Sequence, residues 1–191
     1  MFEDRRSKKI IFLAHCIFNQ NAVSDGTASH EGTMTELVEL INLSGIGVVQ
    51  MPCPELHCIG LTRGDINGRK RSVTEENSRI RNIMEKETSL VKIKHLIQPV
   101  ICKIMEYHEN GFEIKGIVGI NRSPSCGVET TSHDSKEVEG QGVFVTELQN
   151  ELEKRGLHIP FVGIKGFEPE NARATIRSLI GFDRKPDHNS A

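Results

Sequence analysis

Three of the chain's five cysteines stand just beyond apolar, strand-like runs. Cys16 ends "KKIIFLAHC", Cys53 follows "IGVVQMP", and Cys126 lies in "GIVGINRSPSCGVETT". They are 37 and 73 residues apart, so no local motif unites them and only the fold can bring them together. Cysteine is also a good core residue, and packing is the competing explanation. Converging thiolates have two main uses. They can hold tetrahedral zinc with a water in the fourth place. They can also hold an iron–sulfur cluster, in which three thiolates leave one iron of a cubane with a free position. Such an iron is a Lewis acid that prefers soft donors such as sulfur. Cys58, five residues after Cys53, reads as packing or as a fourth ligand, with packing favoured. Cys102, in the helical "VICKIMEY", reads as packing. His95, His108, His133 and His158 show no metal-ligand spacing.

The elements that must position these thiols follow from pattern. Ile10 to Ala14 are continuously apolar, as in a parallel strand covered on both faces. A long polar loop leads to a helix over 33–45, with Thr33 and Glu36 spaced as a capping box and Gly45 as its stop. "IGVVQMP" is a second strand, "FEIKGIVGI" a third and "IPFVGIKG" a fourth. A helical region from about Glu75 to His108 carries Pro99, which should kink or divide it. Leu148 and Leu152 mark a helix over 143–156, and Pro169 opens a last one. The pattern predicts an α/β protein with three layers. Its mostly parallel, four-stranded sheet, Rossmann-like or flavodoxin-like, carries helices on both faces. The expected organisation is one α/β domain over 1–182, with an inserted lid or subdomain at 51–112 and a disordered tail at 183–191. In such a sheet ligands bind outside the carboxyl ends of the strands, where Cys16, Cys53 and Cys126 fall.

Composition narrows the function classes. A chain of 191 residues buries roughly 70% of its unfolded surface and needs no disulfides for a core. Lys and Arg number 24 and Asp and Glu 26, a balance that argues against nucleic acid or an anionic membrane as partner. No apolar run approaches the roughly 20 residues of a membrane span. "MFEDRRSKK" lacks the apolar segment of a secretory signal, so a cytoplasmic location is expected. An odd cysteine count there speaks against a disulfide framework. No G-x-G-x-x-G follows the first strand and no phosphate-binding loop is present.

The stretches "AHCIFNQNAVSDG", "VQMPCPELHCIGLTRG" and "GINRSPSCGVETT" together resemble the motifs of the 2-thiouracil desulfidase family, also known as domain of unknown function 523. They are most similar to its branch of desulfidase-related N-terminal domains. The resemblance spans residues 9–131. It departs from the family at "HCIFNQN", where desulfidases have a leucine-glycine stretch, and at the extra thiol Cys58. The resemblance implies a [4Fe-4S] cluster on Cys16, Cys53 and Cys126. It also implies a small-molecule thiocarbonyl substrate whose sulfur is removed without net redox chemistry. Glu55, the carboxylate nearest a ligand cysteine, is then the candidate base, and Ser123 and Ser125 are candidate partners of the developing charge. His15, Asn19, Asn21 and Arg63 are candidate substrate contacts. Two alternatives stand beside this reading. One is a metal-free hydrolase or transferase with Cys126 as nucleophile, and the other is a non-catalytic cluster-binding sensor or sulfur carrier.

Overall fold

The computed structural model describes residues 2–181, so the 183–191 tail lies outside the described residues. In chain order it runs β1 (Lys9–Leu13), α1 (His15–Phe18), α2 (Thr35–Leu43), β2 (Gly47–Gln50) and α3 (Pro54–Ile59). Next come α4 (Val73–Met84), α5 (Glu87–Glu109), β3 (Glu113–Ile120), β4 (Thr130–His133) and β5 (Lys136–Glu139). α6 (Val143–Glu153), β6 (Phe161–Ile164) and α7 (Pro169–Ile180) complete it. Four parallel strands form one sheet in the order β2-β1-β3-β6, and β4 and β5 form a separate antiparallel hairpin.

β1 is central, and Ile11, Phe12 and Leu13 are fully buried. Its alternation sends Phe12 to one face and Ile11 and Leu13 to the other. On the first face Phe12 and Ile117 pack with Ile97 and Ile104 of α5 and with Phe144 and Leu148 of α6. On the second, Ile11, Leu13 and Val118 pack with Leu37 and Ile41 of α2 and with Ile176 of α7. These are the two helical layers that the continuous apolar strands require. The chain leaves β1 toward β2 and returns past it to β3. The strand order therefore reverses between β1 and β3, which makes their carboxyl ends the switch point of the sheet. No helix among the described residues is long and apolar enough to cross a membrane.

Several local expectations are corrected. The helix after the first polar loop starts at Thr35 with Met34 as a cap that makes no side-chain bond. Thr33 does not form the capping box, because its hydroxyl donates to Phe18 O at 2.9 Å instead. A complete capping box occurs at Ser72 and Glu75, which opens α4. The long helical region divides at Glu85 and Lys86, where Lys86 is extended, and not at Pro99. Pro99 lies inside α5 on an exposed face, so the His95 carbonyl that loses its partner is on the solvent side. Cys102 is exposed on α5 and is not a packing residue. The 51–112 segment contributes Ile80, Met84, Ile93 and Ile97 to the core, while α4 packs against the hairpin. The hairpin strands, "TTSH" and "KEVE", are short and largely polar, so the sequence pattern does not announce them.

The placement of Pro99 yields a stability prediction. Pro99→Ala restores one helical hydrogen bond and removes the ring's clash with the preceding turn, while the unfolded chain gains freedom. Taking about 3 kcal/mol for the former and about 1 kcal/mol for the latter, the variant is more stable by about 2 kcal/mol. A urea titration followed by circular dichroism should show a higher midpoint, and an unchanged or lower one contradicts the reading.

Candidate thiol-lined active site

Each thiol is set by a different local device. Cys16 sits in α1, immediately after β1, where Ala14 N donates to Val118 O at 2.9 Å. The buried Gln20 folds back under it, with Nε2 donating to Cys16 O at 2.7 Å and Oε1 accepting from Ser29 N at 3.0 Å. Cys53 is the N-cap of α3, its Sγ accepting from Leu56 N at 3.4 Å, with Pro54 at the first helical position.

Cys126 lies in a tight loop after β3. Ser123 Oγ accepts from Cys126 N at 3.0 Å and from Ser125 N at 3.3 Å, and Ile120 N donates to Cys126 O at 2.8 Å. The first turn of α6 holds the loop from behind: Val143 N donates to Pro124 O and Phe144 N to Ser125 O, both at 3.0 Å. A Cβ at Gly127 would collide with Thr130 O, and one at Gly142 would collide with Ser125 O, so neither position tolerates a side chain.

The three thiols line one cavity of about 110 Å³, together with Glu55, Arg63, Ser123 and Ser125. All five cysteines are free. Glu55 and Arg63 are buried and joined by a 2.9 Å bond from Arg63 Nε to Glu55 Oε2. Glu55 Oε1 accepts from Ser125 Oγ at 2.6 Å and Ser123 Oγ at 3.4 Å. The three candidate catalytic side chains are thus one hydrogen-bonded unit on the cavity wall.

Burial pushes the Cys16 thiol up to about 12, with the charges of Cys53 and Glu55 adding to it. Cys53 rises to about 11 through burial and then Glu55. Cys126 is pushed well above its ordinary value by burial, with Cys16, Cys53 and Glu55 all contributing. Without a cation among them these groups are neutral thiols.

Among the described residues no group of three or more His, Cys, Asp or Glu side chains is drawn together tightly enough for a single metal ion. Zinc, with metal–sulfur bonds of about 2.3 Å, needs such a group. A cubane is gripped at separate corners by one thiolate per iron, so its ligands surround a space. Cys16, Cys53 and Cys126 line one cavity, and three thiols are the donor type such a cluster takes.

The substrate contacts expected from the sequence fare unevenly. His15 faces a different cavity, lined also by Gln50, Pro52, His95 and Lys103. Asn19 and Asn21 bond to each other, with Asn21 N and Nδ2 donating to Asn19 Oδ1 at 3.1 Å, and do not line the thiol cavity. Arg63 does line it, but each guanidinium nitrogen is committed to a protein acceptor: Glu55, Gly60 O and Ala22 O. Cys58 packs against the core away from the cavity.

Sequence reasoning missed Gln20, Arg122, Lys165 and Phe167, all of which line the cavity. Arg122 lies over the Phe167 ring at 4.7 Å from its centroid, and Lys165 pairs with Glu137 at 2.8 Å. Lys165 and Phe167 directly follow β6. The strand-end rule that located the cysteines also points to them.

Fold and site together define an α/β protein with an all-parallel four-stranded sheet and a thiol-lined cavity at its carboxyl edge. The chain is similar to "Uncharacterized protein MJ0003" of Methanocaldococcus jannaschii. The two are 27% identical over 154 residues, which cover 81% of this chain and 84% of that protein. No protein-family model and no solved structure matches the chain.

Two outcomes follow from this geometry. Glu55→Ala strands the buried Arg63 without its counter-charge, so the variant should lose about 3–5 kcal/mol in a urea titration. In metal-free protein at pH 8, iodoacetamide should modify exposed Cys102 first and Cys16 and Cys126 last, read by peptide mass spectrometry. Their raised values keep them protonated at that pH, and the thiolate is the reactive form. Equal labelling of all five cysteines would refute the environment described.

Proposed function

We propose that this protein is an iron–sulfur-dependent, non-redox desulfidase acting on a thiocarbonyl compound of the thio-nucleobase type. The observation that carries the reading is the arrival of three free thiols, from loops after three different strands, at one cavity that also holds Glu55, Ser123 and Ser125. The motif resemblance to the 2-thiouracil desulfidase family supports the same reading. Cys16, Cys53 and Cys126 would hold a [4Fe-4S] cluster. When bound, it supplies an iron with a free position, a Lewis acid suited to sulfur.

The rest falls to the chain's own residues. The overall change is C=S plus water to C=O plus hydrogen sulfide, so protons move but no net electrons do. Glu55 Oε1 takes a proton from the attacking water. Ser125 Oγ, 2.6 Å away, aims that oxygen, and Arg63 fixes the other one. Ser123 holds the Cys126 loop through its backbone amides and offers its hydroxyl to the same carboxylate. Burial of Glu55 and Arg63 keeps bulk water away from the proton-transfer unit.

A metal-free cysteine nucleophile is less well supported. Activation requires a lowered thiol pKa, whereas burial and the neighbouring charges raise those of Cys16, Cys53 and Cys126. A passive cluster carrier would use the thiols but has no need of the Glu55–Ser123–Ser125 unit.

Anaerobic purification tests the proposal. The wild-type chain should be brown, with about four irons and four sulfides. Cys16→Ala, Cys53→Ala and Cys126→Ala should each lose most of that iron, and Cys102→Ala should keep it. With 2-thiouracil as probe, the wild type should release sulfide. Ser125→Ala should release it roughly 10- to 100-fold more slowly at unchanged iron content, somewhat less than removal of a full general base. Colourless wild-type protein, or a full iron complement in the three ligand variants, contradicts the cluster. A brown protein that releases no sulfide contradicts the enzyme.

A further inference from the structure

We propose that β2 is the dimerisation edge of this protein, where a second copy of the chain adds its own β2 antiparallel to form a continuous eight-stranded sheet. The inference is independent of the chemistry proposed for the thiol cavity. It rests on how differently the two edges of the sheet are finished.

The β6 edge is blocked at Gly163. Ile117 N donates to Pro160 O and Asn121 N to Ile164 O, so the even-numbered carbonyls of this strand face β3 and the odd-numbered groups face outward. The outward Gly163 N–H is already taken by the Glu129 carboxylate, at 3.0 Å and 3.1 Å to its two oxygens. A carboxylate folded over an edge is a common way of blocking further strand addition.

The β2 edge carries no such device. Met51 N donates to Leu13 O at 2.8 Å, so the alternation turns the backbone groups of Val48 and Gln50 away from β1. Neither amide has a partner among the described residues. The strand reads "GVVQ", without charge, proline or bulge. Two open grooves run beside it toward α5, of about 310 Å³ and 530 Å³, and share Val49, Gln50 and Lys103.

A second copy suits this edge because the edge is self-complementary. A two-fold axis at Val49 pairs Val48 with Gln50 of the other copy and Gln50 with its Val48. All four outward groups on each strand are thereby used. The two Val49 residues form the close, non-hydrogen-bonded pair at the centre. Val49 packs on the α5 side of the sheet. The same axis therefore runs the two α5 helices antiparallel across the groove. Lys103 and Glu106 of α5, both exposed and both lining the groove, lie one turn apart with opposite charge. The axis brings Lys103 and Glu106 of both copies to one groove, and the proposal pairs each Lys103 with the other copy's Glu106.

Sedimentation of the full chain at micromolar concentration should give twice the 21.3 kDa chain mass. Hydrogen exchange should show the Val48 and Gln50 amides protected more strongly as concentration rises. Val49→Lys places two ammonium groups directly opposite each other and should yield monomer with unchanged circular dichroism. Lys103→Glu should weaken the dimer at least tenfold, and the charge-swapped pair Lys103→Glu with Glu106→Lys should restore it. A monomeric wild type, a dimer that survives Val49→Lys, or a charge swap that fails to rescue would each overturn the proposal. So would binding of an unrelated extended peptide at this edge by a chain that stays monomeric.

Discussion

The site depends on the buried pair of Arg63 and Glu55, because it ties together the three loops that carry the thiols. Arg63 donates to Ala22 O in the loop after β1 and to Glu55 in the segment after β2. Glu55 in turn accepts from Ser123 and Ser125 in the loop after β3. The residues joined are up to 70 positions apart in the chain, as Glu55 and Ser125 are. Burying two opposite charges adds little net stability, since desolvation offsets most of their attraction. Its effect here is geometric. Each partner is satisfied only when all three loops are in place, so the positions of Cys16, Cys53 and Cys126 become interdependent.

That interdependence explains which parts of the site were legible in the sequence. The strands were legible because β1 and β3 are buried on both faces and so appear as unbroken apolar runs. Once they were placed, the strand-end rule predicted the rim on which Cys16, Cys53 and Cys126 meet. Glu55 and Arg63 stand eight residues apart in sequence, which is compatible with a contact but does not show that the pair is buried. That Arg63 spends its donors on the protein depends on Ala22, 41 residues away, which no local pattern reports. Gln20 was hidden between the more conspicuous Asn19 and Asn21. The three are consecutive in polarity, and only burial distinguishes them. The β4–β5 hairpin escaped because four-residue strands with polar outer faces show no alternation to read. Pro99 misled because its cost falls on a carbonyl at the solvent side of α5.

The electrostatics of the cavity are unusual for a protein with so nearly balanced a total charge. Three thiols and a carboxylate face one space, and Arg63 is the basic side chain bonded directly to that carboxylate. As thiols the cysteines are tolerable neighbours of Glu55. As thiolates they would repel it and one another in a setting that desolvates all of them. A cationic centre reverses that balance, since metal binding displaces the protons and the centre's own charge then dominates the local field. On the proposed function, the raised thiol values keep these groups protonated until the cluster binds.

The three thiols are held by different amounts of surrounding backbone. Cys16 and Cys53 are placed by short helical turns, four and six residues long, whose hydrogen bonds are few and partly exposed. The Cys126 loop is braced by three elements: Gly119 and Gly127 allow it to lie against β3 and β4, and Gly142 brings α6 up behind it. The N–H groups that begin α6 are consumed in holding this loop, so they are not left to attract an anion. The segments bearing Cys16 and Cys53 are drawn against the Cys126 loop by Arg63 and Glu55.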